Sequence, residues 1–264
     1  MLAGVDLDAL AMERAVERGK HLVNSRYFCV ECHGQDFSGG VMIDAPPMGS
    51  WLGPNLTAGK GGVVADYTSE DWDRIVRHGV RKDGTAAIMP SDDFVGMSDQ
   101  ELSDIVAYVG SFPPVDNTVP ERSFGPVSTM LIATENLPLP ASRYAARTEH
   151  PAMPPEAATT AEFGAHLAQT CTGCHRAGLN GGPILAGDPA WPPSTNLTSA
   201  EGGIASAYSY EDFSKVMRTG VKKDGSTVAT PMNLIPPYAS TMTETEMQAL
   251  WAYIQSLPAT PTGT

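Results

Sequence analysis

The sequence predicts an all-α chain made of two tandem copies of one small helical domain, joined by a long proline-rich strap. Three observations carry this expectation. Asn55-Leu56-Thr57 returns as Asn196-Leu197-Thr198, and Gly79-Val80-Arg81-Lys82-Asp83-Gly84 as Gly220-Val221-Lys222-Lys223-Asp224-Gly225, each displaced by 141 residues. Helix-start signals fall at matching places in the two halves, and strand-like alternation of apolar and polar residues is scarce. The copies are expected over residues 1–114 and 160–264, with residues 115–159 between them.

The elements follow in order within each copy. A first helix is expected over Asp8 to Asn24 and over Thr160 to Gln169, where apolar residues recur at helical spacing. The Gly/Pro-rich stretches Gly39 to Pro54 and Gly181 to Pro193 read as loops. A middle helix spans Tyr67 to His78 and Tyr208 to Thr219, begun by Ser69 and Ser209 as N-caps and stopped by Gly79 and Gly220. Ser98 with Glu101, and Thr243 with Glu246, are capping boxes that open the last helix of each copy. Pro113 and Pro258 end those helices, because proline cannot continue the hydrogen-bond ladder. The intervening segment is rich in proline and alanine. Phe124, Met130, Leu131, Ile132, Leu137 and Leu139 provide apolar side chains with which it could dock as a semi-rigid strap across both copies.

All 4 cysteines lie in two five-residue motifs, Cys29-Val30-Glu31-Cys32-His33 and Cys171-Thr172-Gly173-Cys174-His175. CxxCH offers two thiols for thioether bonds to haem vinyl groups and a histidine to ligate the iron, so two covalently bound haem c groups are expected. Pooling the motifs into one structural zinc site would need ligand pairs from far apart in sequence, whereas such pairs are normally close. A disulfide framework suits short secreted scaffolds rather than a chain of 264 residues. A thioredoxin-like centre would follow a strand, and no strand pattern precedes either motif.

Each iron needs a second axial ligand. The candidates are His78, Met89 and Met97 in the first half, and Met217, Met232 and Met242 in the second. Met97 and Met242 each precede an N-cap, where an apolar residue staples onto the N4 side chain, here Leu102 and Met247. Met217 aligns with Val76 and reads as core; His78 aligns with Thr219 and reads as a surface or propionate-side histidine. Met89 and Met232 lie in loops beside Pro90 and Pro231 and are the expected ligands, although the order of Pro and Met is reversed in the second copy. His21 and His166, on the first helices, keep a bis-histidine alternative open. His/Met ligation fills both axial positions and favours electron transfer over binding of oxygen or peroxide.

With these residues in view, each half resembles a class I cytochrome c domain, and the whole resembles dihaem cytochromes c of bacterial respiratory and dehydrogenase systems. The resemblance rests on the two CxxCH motifs, on Gly53-Pro54-Asn55-Leu56-Thr57, on Met89-Pro90, and on Val106-Ala107-Tyr108-Val109 and Trp251-Ala252-Tyr253-Ile254. It implies that Gly19 packs near Tyr108 and Gly164 near Tyr253. It also implies that the Pro54 carbonyl accepts the N–H of His33. Threonine stands at position 195 where Pro54 would repeat, which leaves Pro192 or Pro193 to serve His175. Asn55 and Asn196, in the repeated loop, are expected to take part in cofactor binding. One tryptophan indole, from Trp51, Trp72, Trp191 or Trp251, could reach a haem propionate.

Charge bounds the partners. The net charge is −13, with 17 acidic against 9 basic side chains in residues 1–114 and 7 against 5 in residues 164–264. Nucleic acid is therefore an unsuitable partner, and a basic redox protein docking on the first half is the natural expectation. No stretch approaches the roughly 20 apolar residues of a membrane helix. The resemblance implies a periplasmic location, since haem is attached outside the cytoplasm in that family, with a leader missing from these residues. The expected function is single-electron transfer between a dehydrogenase or respiratory complex and a downstream acceptor, as a free carrier or a subunit. The alternative is a dihaem redox enzyme, peroxidase-like or sulfur-oxidising, with one reactive haem.

Overall fold

The computed structural model describes residues 6–184 and 187–263; the first five residues of the expected domain 1–114, Leu185 and Ala186 of the expected loop 181–193, and Thr264 lie outside them. The chain divides into two compact units. One takes in the residues up to Ser91 together with Met97–Met153, and the other Asp92–Gly96 together with the residues from Pro154 onward. Among the described residues, no helix is long and apolar enough to cross a membrane.

In the first unit, α1 (Leu7–Leu22) opens on Asp6, whose carboxylate accepts hydrogen bonds from the backbone of Asp8 and Ala9. The helix loosens into a π-helical turn, Val23–Tyr27, and passes through Phe28 at φ 51° into α2 (Cys29–His33). β1 (Gly40–Ala45) and β2 (Gly49–Gly53) follow, then α3 (Ser69–His78) and α4 (Asp99–Gly110). β3 (Ser123–Phe124), α5 (Pro126–Ala133) and α6 (Ala141–Tyr144) complete this unit. Among the described residues, the second unit repeats the plan without the sheet. It runs through α7 (Ala161–Leu167), a 3₁₀ turn at Ala168–Cys171, α8 (Thr172–His175), α9 (Ile204–Ala207), α10 (Tyr210–Thr219), α11 (Pro236–Ala239) and α12 (Glu244–Ser256).

The central crossing in each unit is made possible by a glycine. A Cβ on Gly19 would lie 1.9 Å from the Asp104 carbonyl oxygen and 2.8 Å from Tyr108 Cβ; on Gly164 it would lie 2.0 Å from the Ala249 oxygen and 2.7 Å from Tyr253 Cβ. First and last helices therefore meet backbone to backbone, as the resemblance implied. Both last helices carry the expected reciprocal capping boxes, Ser98 with Glu101 and Thr243 with Glu246. In the first unit Glu101 does more: its other oxygen accepts from buried Arg26 at 2.7 Å. Phe163, Leu167, Phe213, Met242, Met247, Leu250 and Ile254 form the core of the second unit, with Met217 packed against it.

Two expectations are corrected. Residues 39 to 54 are not a loop but an antiparallel hairpin with an irregularity between Val41 and Ile43, extended by β3 through Ser50 with Ser123. The N-cap of α3 is Thr68 rather than Ser69, because only Thr68 stands three residues before an acidic partner, Asp71, that closes the box. Residues 115 to 153 group with the first compact unit. Polar bonds help hold this segment, and Leu131, Ile132, Leu137 and Leu139 are part-buried. Gly125 N–H and Ser128 Oγ donate to the Met48 carbonyl, and Asp99 and Gln100 N–H donate to the carbonyls of Pro151 and Ala152. Phe124 and Met130 are exposed.

Candidate functional site

Each CxxCH motif occupies a single helical turn, which places both thiols and the histidine close together. Its entry and exit are bent. Phe28 precedes the first motif at φ 51° and Gly34 follows it at φ 79°, while Arg176 follows the second at φ 67°. A residue held in this left-handed region costs free energy that the surrounding structure must supply. The 4 cysteines are unpaired by disulfides and part-buried. Burial pushes Cys29 and Cys171 up to about 12, and Cys32 and Cys174 in the same direction, so they have the character of protonated thiols.

The histidines are anchored alike. His33 Nδ1 lies 3.0 Å from the Pro54 carbonyl oxygen, and His175 Nδ1 lies 2.8 Å from that of Thr195. A carbonyl can only accept, so each Nδ1 carries the proton and each Nε2 presents its lone pair. Burial lowers both imidazole pKa values and the carbonyl bond partly restores them. The result is a neutral, oriented ring, which is the form that binds a metal. The expectation that Pro192 or Pro193 serves His175 is corrected. Thr195 occupies the place of Pro54 and supplies the bond unaided, since the acceptor is main chain.

The loop that carries this carbonyl is tied down by an asparagine. Asn55 Nδ2 donates to the carbonyls of Val115 and Asn117, and its Oδ1 accepts from Thr57 N and Oγ1. Asn196 repeats the pattern with Thr260, Thr262 Oγ1 and Thr198. Two donors and two acceptor lone pairs are thereby used in each amide. Asn55 and Asn196 thus position the loop behind the histidine.

Met89 is part-buried between the Val80–Ala86 bridge and the 3₁₀ turn Ser91–Asp93; Met232 is part-buried at the start of the 3₁₀ turn Met232–Leu234. Met97 and Met242 are 2% and 8% exposed, and Met242 belongs to the core with Met247. Arg77 donates to the Met97 carbonyl at 3.0 Å and Arg218 to that of Met242 at 3.0 Å, a matched pair of anchors not anticipated from the sequence. His78 is 3% exposed rather than superficial, with Nδ1 2.7 Å from the Tyr144 carbonyl. His21 Nδ1 is hydrogen-bonded to Ser25, in the π-helical turn that follows α1.

Three further observations test whether these residues fit a haem. Gly53 lies so close to α2 that a Cβ would approach the Cys32 carbonyl oxygen to 1.8 Å, which seats β2 directly on the first motif. Met42 of β1 reaches the same place, with Sδ 3.4 Å from Cys32 Sγ. On β2, buried Trp51 has an Nε1–H without an acceptor, as does Arg122 Nη1, and the register pairing Ser50 with Ser123 brings Arg122 alongside Trp51. Buried donors of this kind are rare unless a further group satisfies them. A carboxylate-bearing group beside the first CxxCH would do so, and haem has two propionates. The residues fit. When bound, haem iron alternates between ferrous and ferric and so takes up and returns one electron.

Comparison with known proteins agrees. The family model described as cytochrome c matches residues 161–258, and that described as cytochrome c oxidase, cbb3-type, subunit III matches residues 14–109. The chain is 35% identical over 107 residues to the gluconate 2-dehydrogenase cytochrome c subunit of Pantoea cypripedii, covering 38% of this chain and 24% of that one. It is 31% identical over 121 residues to the fructose dehydrogenase cytochrome subunit of Gluconobacter japonicus, covering 43% and 24%. It is 25% identical to a nicotinate dehydrogenase subunit of Pseudomonas putida, covering 93% and 22%. The chain thus spans about a quarter of the length of these relatives. The structure of reduced recombinant cytochrome c4 from Pseudomonas stutzeri aligns over 92% of this chain and 98% of that one, at 22% identity and a TM-score of 0.25, too low to equate the two folds. With a matching family model over each half, and a CxxCH helix and an anchored histidine in each, the chain is a tandem pair of cytochrome c domains that binds two haem c groups covalently.

Proposed function

We propose that this chain relays single electrons between a dehydrogenase and a downstream acceptor, with His33 and Met89 as axial ligands of one iron and His175 and Met232 of the other. In this reading domains 1–114 and 160–264 each carry one haem and residues 115–159 join them. The observation that carries the reading is the paired anchoring of His33 and His175, each with Nε2 available. The loop positions of Met89 and Met232, both part-buried, support them as ligands, while Met97 and Met242 are packed in the core. Relatives named as cytochrome subunits of gluconate and fructose dehydrogenases support the dehydrogenase as donor.

The chain then acts as an electron carrier or a subunit of a larger oxidoreductase, in the periplasm, and a basic redox partner docks on the acidic first half. A six-coordinate iron does not take up carbon monoxide readily, so the reduced protein should show an unchanged Soret band under that gas. Substantial binding at either haem would overturn the carrier reading in favour of a reactive iron. Electron exchange with a basic partner should slow as ionic strength rises; a rate indifferent to salt would remove the electrostatic docking.

A further inference from the structure

One cluster of metal-ligating side chains lies outside the haem machinery. Asp73 and His78 stand on α3, and His150 comes from the segment that follows α6. Both imidazoles are buried, with side chains 4% exposed, while Asp73 is 29% exposed. His78 Nε2 and His150 Nε2 are 3.1 Å apart, His78 Nε2 is 3.4 Å from Asp73 Oδ2, and His150 Nε2 is 3.7 Å from Asp73 Oδ1.

The separation of the two imidazole nitrogens and that of His78 from Asp73 Oδ2 fit the edges of a small coordination tetrahedron, while His150 faces the other oxygen of the same carboxylate, Oδ1. With metal–nitrogen and metal–oxygen bonds of about 2.0–2.2 Å, ligand atoms around a tetrahedral cation lie about 3.3 Å apart. Partner groups orient these ligands as they would in a metal site. His78 Nδ1 donates to the Tyr144 carbonyl at 2.7 Å, which turns the lone pair of Nε2 toward the cluster. Arg77 Nε donates to Asp73 Oδ1 at 2.6 Å, which leaves Oδ2 facing His78. Burial, reinforced by Arg77, lowers the pKa of His150 and favours its neutral form.

The repeat sharpens the point. The equivalents of Asp73 and His78 in the second copy are Ser214 and Thr219, and neither is a ligand of this type. Whatever these residues do is therefore not a requirement of the haem-binding fold. They occur in the half that also carries residues 115 to 153, which supply both His150 and the Tyr144 carbonyl.

We propose that Asp73, His78 and His150 bind one divalent transition-metal cation, of the Zn²⁺ or Cu²⁺ type, with two imidazoles and one carboxylate as ligands and a fourth position open to water. Two imidazoles select such cations over Mg²⁺ or Ca²⁺, which require oxygen-rich shells. The neighbouring guanidinium of Arg77 reduces affinity for any cation, so the site depends on strong imidazole bonds. Binding ties the segment after α6 to α3, and the bound form gains stability by mass action.

The test is calorimetric titration of ZnCl₂ into chelator-washed dihaem protein, in which all four cysteines are consumed by thioether bonds. One saturable site per chain is expected in the wild type, and His150→Gln and Asp73→Asn should each weaken it at least 10-fold. Both variants should keep wild-type haem spectra, which establishes that they are folded. Zn²⁺ should also raise the melting temperature of the wild type and leave that of His150→Gln unmoved. Absence of saturable binding up to millimolar Zn²⁺, or a site of equal affinity in wild type and both variants, would overturn the assignment and leave a hydrogen-bonded histidine pair.

Discussion

Replacing Gly19 by alanine offers a stability test whose sign is opposite to the usual expectation. In an ordinary helix interior, glycine to alanine stabilises by about 1 kcal/mol, because alanine loses less backbone entropy on folding. At Gly19 the new Cβ would sit 1.9 Å from the Asp104 oxygen, where ordinary contact begins at 3.4 Å, so α1 and α4 must separate by about 1.5 Å. Inserting a carbon into a packed crossing costs about 1–3 kcal/mol, and a displacement this large between two backbones belongs at the upper end. The net expectation for Gly19→Ala is a loss of about 2 kcal/mol. Gly164→Ala should behave likewise in the second unit, where the distance is 2.0 Å. Gly110 is the control, since it ends α4 with nothing within 4 Å of a built Cβ. Gly110→Ala should be neutral or slightly stabilising. The assay is guanidinium chloride unfolding of the oxidised holoprotein, followed by far-ultraviolet circular dichroism and by the Soret band. For a slope of about 4 kcal/mol per molar, 2 kcal/mol lowers the affected midpoint by about 0.5 M. If Gly19→Ala and Gly110→Ala shift the midpoint equally, or both upward, the close-crossing argument is refuted.

The remaining predictions concern the buried ion pair, the caps and the irons. Arg26→Met leaves Glu101 buried and charged without its guanidinium partner, and should cost about 3–5 kcal/mol in the same unfolding assay; a cost under 1 kcal/mol would mean that Glu101 finds other compensation. Asp71 and Asp212 are held below the ordinary carboxylate range first by the backbone N–H of Thr68 and Ser209, which they accept. A depressed carboxylate contributes stability above its unfolded pKa and loses it as pH falls through the folded value. Stability should therefore decline as pH drops below about 4. Asp71→Asn should flatten part of that decline, and an unchanged acid limb would remove the role given to the box. Met89→Ala and Met232→Ala should each abolish about half of the weak far-red band that methionine-ligated ferric haem shows. Retention of the full band in both variants would return Met97 and Met242 to candidacy.

Much of this molecule was readable where its causes are local. A capping box needs only four consecutive residues, so Ser98 with Glu101 and Thr243 with Glu246 could be found in a short window. The error at Ser69 was also local, and the 141-residue register that carries Ser209 back onto Thr68 corrects it. The hairpin was not readable. Its first strand alternates poorly between buried and exposed positions, its turn holds Pro46 and Pro47, and part of its hydrogen bonding comes from Ser123, 73 residues beyond Ser50. His78 was misjudged for the same reason, since its partners Tyr144 and His150 lie in a segment with no counterpart in the repeat. At the haem sites the sequence identified CxxCH and Pro54, which are side-chain or motif features. It missed the Thr195 carbonyl, which every residue type possesses.

That last bond has an evolutionary consequence. An acceptor that belongs to the main chain cannot be deleted by an ordinary codon change, so Pro54 in one copy and Thr195 in the other orient their histidines equally well. After a duplication, the two copies can therefore diverge at this position without either iron losing the support of its proximal ring. Drift is then free to act on what surrounds the haems, on charge and on neighbouring indole and guanidinium donors. Two sites of common descent can come to hold their electron at different energies while sharing one unchanging hinge of imidazole and peptide.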